Sequence, residues 1–190
     1  MSEMYPNALK ITGHYNDNEL ELFQQETTER ILLKDETLLH QGQVAKSVYF
    51  LIEGAVYQSL SQSTVNYNII DLHLKNEWFF NAESFISQHP SNHDIVAFKQ
   101  SVILELSIES IHYLVGKSIS FLQLNRILTN GSSRAYLFDN MLNPLQKYQF
   151  IIDNKRDLIQ MYPLKMIASY LKITPETLSR IRNKLVKNIS

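Results

Sequence analysis

Residues 163–187, PLKMIASYLKITPETLSRIRNKLVK, carry the pattern that decides how the chain is organised. Apolar residues at i, i+3, i+4 and i+7 give the first part a helix with one buried face. Thr174 is a good N-cap, and Pro175 suits the first helical position because it has no N–H to satisfy. The segment predicts two helices joined by a tight turn, the second over residues 175–187. The apolar stripe of the first helix is Leu164, Ile167, Ala168 and Leu171.

The second helix has different chemistry on its two sides. Leu178, Ile181 and Leu185 recur at i, i+3 and i+7 and form its apolar stripe. Glu176 can accept a hydrogen bond from cytosine N4, and Arg180 can hold guanine O6 and N7 together. A helix that enters the major groove points its first turns at base edges, so this pattern predicts a DNA-reading helix. The candidate DNA-contacting residues are Thr174, Pro175, Glu176, Thr177, Ser179, Arg180, Arg182 and Lys184.

The charge distribution bears on the same question. Residues 151–190 hold 8 basic and 3 acidic side chains, whereas residues 1–150 hold 10 basic and 16 acidic ones. An acidic body with a basic end often meets a polyanion there. A helical hairpin that serves for packing, with its charges only solvated, would give the same count. On charge alone both interpretations stay open.

The rest of the chain changes its pattern near residue 108. From Glu29 to about Ile108, short apolar runs rich in β-branched and aromatic residues alternate with turn residues, which predicts an antiparallel sandwich or barrel. Residues 78–80, Trp-Phe-Phe, are expected to lie in the core or to line a pocket. From Ser118 to about Leu142 the pattern is helical again. Asn130-Gly131 lies inside that stretch, so it is either one long helix or two helices joined there.

These residues carry a resemblance to a known family. Residues 167–182, IASYLKITPETLSRIR, resemble the helix-turn-helix of Crp–Fnr-type transcription regulators almost throughout. Gly42 and residues 49–56, YFLIEGAV, resemble the first half of the cyclic-nucleotide-binding β-roll, with its glycines at hairpin turns. The likeness spans roughly residues 20–187. It implies a homodimer that reads a near-palindrome in double-stranded DNA, with Glu176 and Arg180 contacting bases.

The resemblance also implies an α+β fold with three parts. Residues 1–116 would form a double-stranded β-helix or jelly-roll sensor domain like a cyclic-nucleotide-binding domain. Residues 117–142 would form a long dimerisation helix, and residues 143–190 a helix-turn-helix domain. Two departures concern that last domain. Lys172 stands where the family usually has glycine, which costs on the order of 1 kcal/mol if its φ is positive. We also expect no β-wing after the second helix.

A third departure concerns the effector. The resemblance places the ligand pocket at Ala82, Glu83, Ser91 and Asn92, where the family has glycine, glutamate, arginine and a hydroxyl residue. No Lys or Arg lies between positions 75 and 99, and a phosphodiester buried without a cationic partner is costly. We therefore expect no ordinary cyclic AMP binding. The pocket would hold a different small-molecule effector, or none.

Other functions find no support in the sequence. The absence of cysteine excludes disulfides, cysteine nucleophiles and thiolate metal sites. The scattered histidines have no metal-ligand spacing, and the chain has none of the common catalytic motifs, so we expect no metal, no cofactor and no enzyme activity. No signal peptide and no membrane-spanning run is visible, which predicts a cytoplasmic protein without membrane contact. The alternative function is a small-ligand sensor whose output is a protein contact.

Overall fold

The computed structural model describes residues 4–60, 68–129 and 142–187. Two helices, α1 (Met4–Lys10) and α2 (Asp17–Glu26), precede a set of strands, and a short helix, α3 (Ala82–Ser87), interrupts that set. The strands are β1 (Thr27–Leu32), β2 (Thr37–Leu39), β3 (Ser47–Glu53), β4 (Ala55–Ser59), β5 (Ile69–Leu74), β6 (Trp78–Phe79), β7 (Asp94–Ala97) and β8 (Ser101–Ser107).

The strands form two antiparallel sheets. Their orders are β1-β8-β3-β6 and β2-β7-β4-β5, which is a jelly-roll arrangement that we call the β domain (residues 27–107). The strands bury apolar side chains such as Phe50, Leu51 and Ile103 in one core cluster. The antiparallel sandwich that the short apolar runs predict is therefore confirmed.

Gly42 and Gly54, which belong to the family resemblance, occupy positions that need glycine. Gly54 joins β3 to β4 with a φ of 110°, and a Cβ on it would lie 2.6 Å from the Cα of Ser101. Gly42 has a φ of 88°, a region that side-chain-bearing residues rarely adopt. Only glycine lets β3 and β4 turn this tightly against the start of β8.

The helical stretch after β8 differs from the prediction. Helix α4 (Ile108–Lys117) ends at Ser118, which is extended, and a 3₁₀ helix (Ile119–Leu124) and α5 (Asn125–Thr129) follow. A single helix over 117–142 is thus wrong for its described part, because the Ser118 hydroxyl caps the 3₁₀ helix and donates to Glu19 Oε1 at 2.6 Å. The remainder of the predicted dimerisation helix, including Asn130-Gly131, lies outside the described residues.

Four helices form the C-terminal part, which we call the helical unit (residues 142–187). They are α6 (Pro144–Asn154), α7 (Arg156–Met161), α8 (Leu164–Tyr170) and α9 (Pro175–Lys187). Asn143 starts α6 with a reciprocal capping box, and Thr174 starts α9 by accepting a hydrogen bond from the Thr177 N–H at 3.2 Å. The two helices and the N-cap predicted from the sequence are confirmed. Among the described residues, no helix is both long and apolar enough to span a bilayer.

The turn between α8 and α9 contains the predicted departure. Lys172 has a φ of 55°, so the lysine does occupy the left-handed region that favours glycine. Its Nζ donates to Asn68 Oδ1 at 2.9 Å and to the Ile69 carbonyl at 3.0 Å. Glycine could not make these contacts, so the strained lysine ties the turn to the β domain.

The helical unit packs on the β domain along β5. Helix α8 was expected to have one buried face, yet Met166 and Tyr170 are buried as well as Ile167 and Ala168. The reason is that α8 lies between α9 on one side and β5 on the other. The Ile69 N–H donates to Ser169 Oγ at 2.9 Å across this contact.

Tyr162 is a buried residue with a polar group at this contact. Its hydroxyl lies 2.8 Å from the Val56 carbonyl and 2.9 Å from the His73 carbonyl, and its ring lies 4.8 Å from that of Phe98. Burial raises the pKa of Tyr162 well above its ordinary value, so the hydroxyl stays a donor.

We expect Tyr162→Phe to destabilise the protein by about 1–2 kcal/mol, because two buried carbonyls lose their donor. Since the folded-state pKa of Tyr162 is raised, the wild-type protein should also lose stability as the pH rises above about 10, where the unfolded tyrosine ionises. The Tyr162→Phe variant should lose less stability over that pH range. Urea unfolding at neutral and alkaline pH measures both effects.

The matched control is Tyr113→Phe, since Tyr113 is 46% exposed on α4. The role given to the Tyr162 hydroxyl would be contradicted by an unchanged unfolding midpoint for Tyr162→Phe. It would also be contradicted if both variants lost the same stability at alkaline pH.

Candidate functional site

A cavity of about 700 Å³ lies where the β domain meets the rest of the chain. Strands β5 and β6 and helix α3 form one side, and residues from α5 and the α6–α7 junction form the other. The aromatic run Trp78-Phe79-Phe80 contributes to the wall, as the sequence predicts. Tyr170 of α8 reaches the same cavity, so both parts of the protein border it.

Three of the four predicted pocket residues line this cavity. They are Ala82, Glu83 and Asn92, and the Asn92 Nδ2 donates to Glu83 Oε2 at 3.1 Å. Ser91 differs from the expectation because it lies behind the wall with only 3% of its surface exposed. Its Oγ accepts a hydrogen bond from Asn81 Nδ2 at 2.6 Å. Ser91 therefore supports the wall and is not available to a ligand.

The cavity is also lined by two buried histidines, His73 and His93, which Gln58 joins. Gln58 Nε2 donates to the Phe80 carbonyl at 3.2 Å, which fixes the orientation of the amide. Gln58 Oε1 then faces His93 Nε2 at 2.7 Å, and Gln58 Nε2 lies 2.9 Å from His73 Nε2. This orientation makes the His93 Nε2 a donor and the His73 Nε2 an acceptor.

Charged and polar contacts, rather than hydrogen bonds alone, continue this series into the helical unit. Because His73 Nε2 accepts, its proton is on Nδ1, which lies 3.8 Å from Glu77 Oε2. Glu77 Oε1 lies 3.3 Å from Lys155 Nζ. We call this series of five residues the polar chain. It consists of His93, Gln58, His73, Glu77 and Lys155.

Reasoning from the sequence assigned no role to any residue of the polar chain. The five residues come from β4, β5, the turn before β6, the segment before β7 and the α6–α7 junction, so no local spacing joins them. His73 and His93 counted only among the scattered histidines without metal-ligand spacing. Within the described ranges, no group of three or more His, Asp or Glu side chains is placed to hold a metal ion.

The charges around the cavity are mainly acidic. Asp71, Glu77 and Glu83 line it, and Lys155 is the one Lys or Arg among the described lining residues. That lysine comes from the helical unit and is paired with Glu77. The β domain itself contributes no cation to the described lining, which agrees with the charge pattern noted in the sequence.

Helix α9 presents the second candidate site on its outer side. Leu178 and Ile181 are buried, whereas Glu176 and Arg180 are exposed on the opposite side. A hydrogen bond from its own backbone N–H, together with the Thr174 hydroxyl, lowers the pKa of Glu176 and keeps it an acceptor. Ser179, Arg182, Lys184 and Thr174 are exposed too, and Pro175 and Thr177 are half-buried.

Known proteins resemble this chain in part of its sequence and in its fold. The family model described as the cyclic nucleotide-binding domain matches residues 29–118. These residues have the cyclic nucleotide-binding fold. No curated protein matches the chain in sequence.

Solved structures with the cyclic nucleotide-binding fold extend the likeness over more of the chain. FixK2 from Bradyrhizobium japonicum has a TM-score of 0.68 at 20% identity, with 85% of each chain covered. A CooA variant from Carboxydothermus hydrogenoformans has a TM-score of 0.66 at 16% identity, covering 94% of this chain and 83% of its own.

The sensor domain of the transcriptional regulator DNR from Pseudomonas aeruginosa has a TM-score of 0.53 at 15% identity. It covers 75% of this chain and 100% of its own. At such identities these likenesses concern the fold.

Replacing His93 tests the polar chain. His93→Leu leaves the buried Gln58 amide oxygen without its donor, so we expect a loss of about 1–3 kcal/mol in the free energy of unfolding. His89→Leu, at an exposed position four residues earlier, should change it little. Urea titration of both variants measures the difference, and equal stabilities would show that His93 does not hold Gln58.

Proposed function

We propose that this protein is a sequence-specific DNA-binding transcription regulator of the Crp–Fnr type. It acts as a homodimer on a near-palindromic site, and α8 and α9 form its helix-turn-helix. The observation that carries the proposal is the construction of α9, which buries Leu178 and Ile181 and leaves Glu176 and Arg180 exposed in its first turns. A helix built in this way can enter the major groove and direct these two side chains at base edges.

The remaining basic residues of α9 support the same function. Arg182 and Lys184 are exposed beside the proposed reading face and can hold phosphates, which set the register of a protein on DNA without reading sequence. The fold adds to this, since a transcriptional regulator's sensor domain is among the solved structures that it resembles.

A homodimer is supported by the 3₁₀ helix that follows α4. Side chains at i and i+3 eclipse each other in a 3₁₀ helix, so Ile119 and Leu122 lie on one side and Phe121 and Leu124 on the other. Phe121 and Leu124 are buried, whereas Ile119 is 79% and Leu122 52% exposed. An apolar side this exposed, within the segment predicted to form the dimer, suits the same side of a second copy.

As part of this proposal, the regulator does not respond to cyclic AMP, and its cavity holds a different effector or none. Ala82 and Asn92 lie at the cavity where the family resemblance expects glycine and a phosphate-binding group, and Ser91 is turned away. The lysine that reaches the cavity is already paired with Glu77. A cyclic phosphate in this cavity would face Asp71 and Glu83 without a free counter-charge from the described lining.

Selection from a random DNA library, with no nucleotide added, tests the function directly. The expected result is enrichment of an inverted repeat with half-sites about one helical turn apart. Arg180→Ala should then cost roughly 1–3 kcal/mol on the selected site and relax the choice at one base pair, because a bidentate contact to guanine is lost.

Arg156→Ala is the matched control, because Arg156 is exposed at the start of α7, away from α9. It should leave the base preference unchanged. If no motif is enriched, or if Arg180→Ala binds as selectively as the wild type, the base-reading role is wrong. The sensor with a protein-contact output then becomes the better explanation.

The dimer is tested by Ile119→Asp. Losing the burial of this side chain at an interface should raise the dimer dissociation constant by about 10- to 100-fold. Leu33→Asp is the control, since Leu33 is 64% exposed at a site remote in sequence from the 3₁₀ helix. Sedimentation equilibrium should show a monomer only for Ile119→Asp, and a wild-type monomer would refute the proposed assembly.

A further inference from the structure

Helix α7 is attached to the β domain at both of its ends. Lys155, the residue immediately before α7, pairs with Glu77, and Tyr162, the residue immediately after it, donates to the carbonyls of Val56 and His73. Two of these partners are four residues apart: His73 lies near the end of β5, and Glu77 lies in the turn that joins β5 to β6. One short segment of the β domain therefore holds α7, and α8 follows directly.

The same two residues belong to the cavity. His73 and Glu77 both line it, and the polar chain links them through Gln58 to His93, another lining residue. Glu77 has two attachments besides Lys155, since its Oε2 accepts from the Leu74 N–H at 3.2 Å and lies 3.8 Å from His73 Nδ1. Its carboxylate is thus at once a wall group of the cavity and an anchor of the helical unit.

We infer that Glu77 couples the cavity to the docking of the helical unit: a ligand that presents a cationic N–H group to Glu77 displaces Lys155 and loosens α7 and α8. Its consequence for DNA binding rests on the proposed function, because α8 packs against the reading helix. The coupling itself does not.

The replacement of Lys155 as the partner of Glu77 defines the chemical class of the ligand. Glu77 Oε1 accepts from an ammonium group, and another cationic donor can take that place while keeping the partly exposed carboxylate paired with a positive charge. An amidinium is well suited, because its planar pair of N–H groups matches a carboxylate with two hydrogen bonds. The aromatic side chains of Trp78, Phe79 and Tyr170 suit a flat apolar part on the same molecule.

Benzamidine and benzoate are the probes that distinguish binding of a cation to Glu77 from unspecific binding. They share one shape and size and differ in the sign of their charge. Amide hydrogen exchange is measured on the full chain without DNA, and the readout is the protection of residues 156–172. Millimolar benzamidine should raise their exchange rates about two- to fivefold, which is what losing a partly exposed ion pair allows, whereas benzoate should not.

Variants identify the residue through which the probe acts. Glu77→Gln and Lys155→Met should each raise exchange over residues 156–172 by a similar factor without any probe. The double variant should equal either single one, because both remove the same pair. Benzamidine should then have no further effect on Glu77→Gln. Lys165→Met, at an exposed position on α8, should keep the wild-type exchange and the wild-type response.

The inference is overturned if benzamidine leaves wild-type exchange unchanged, if benzoate acts equally, or if Glu77→Gln responds as the wild type does. None of these readouts depends on DNA. A protein that shows the coupling but enriches no DNA motif would refute the proposed function alone. A protein that reads DNA but shows no coupling would refute this inference alone.

Discussion

The packing of the helical unit against β5 is the contact on which the rest of the arrangement depends. Ile69 and Leu72 of β5 are fully buried in an apolar cluster that they share with Tyr162 and Met166 of the helical unit. Burying such side chains contributes roughly 1.5–3 kcal/mol each. The hydrogen bonds of Tyr162, Ser169 and Lys172 then fix the register of this apolar contact.

The cavity is a consequence of that packing. Its walls come from the β domain, from Ile127 and Leu128 of α5, and from Lys155 and Tyr170 of the helical unit. A small-molecule site formed between packed parts of a protein is affected when any part moves, and in turn affects them. This explains why a carboxylate at its wall can serve two purposes.

The residues around the cavity show which parts of the site the family resemblance could predict. It directed attention to Ala82, Glu83 and Asn92, and these three residues do line the cavity. It failed for Ser91, whose hydroxyl is taken by Asn81. The prediction of a long helix was wrong for its described part. Ser118 donates to Glu19 of α2, and helix propensity, which depends on neighbours along the chain, does not include such a distant contact.

The sequence by itself determined the local elements. Alternating apolar runs specify strands, glycine at position 54 permits one tight turn, and Thr174-Pro175 starts a helix, since each of these depends on neighbours along the chain. Only the tertiary structure decided that α8 would be buried on two sides and that Lys155 would meet Glu77. Such contacts join residues far apart in the chain, and their geometry is set by how the sheet and helices pack.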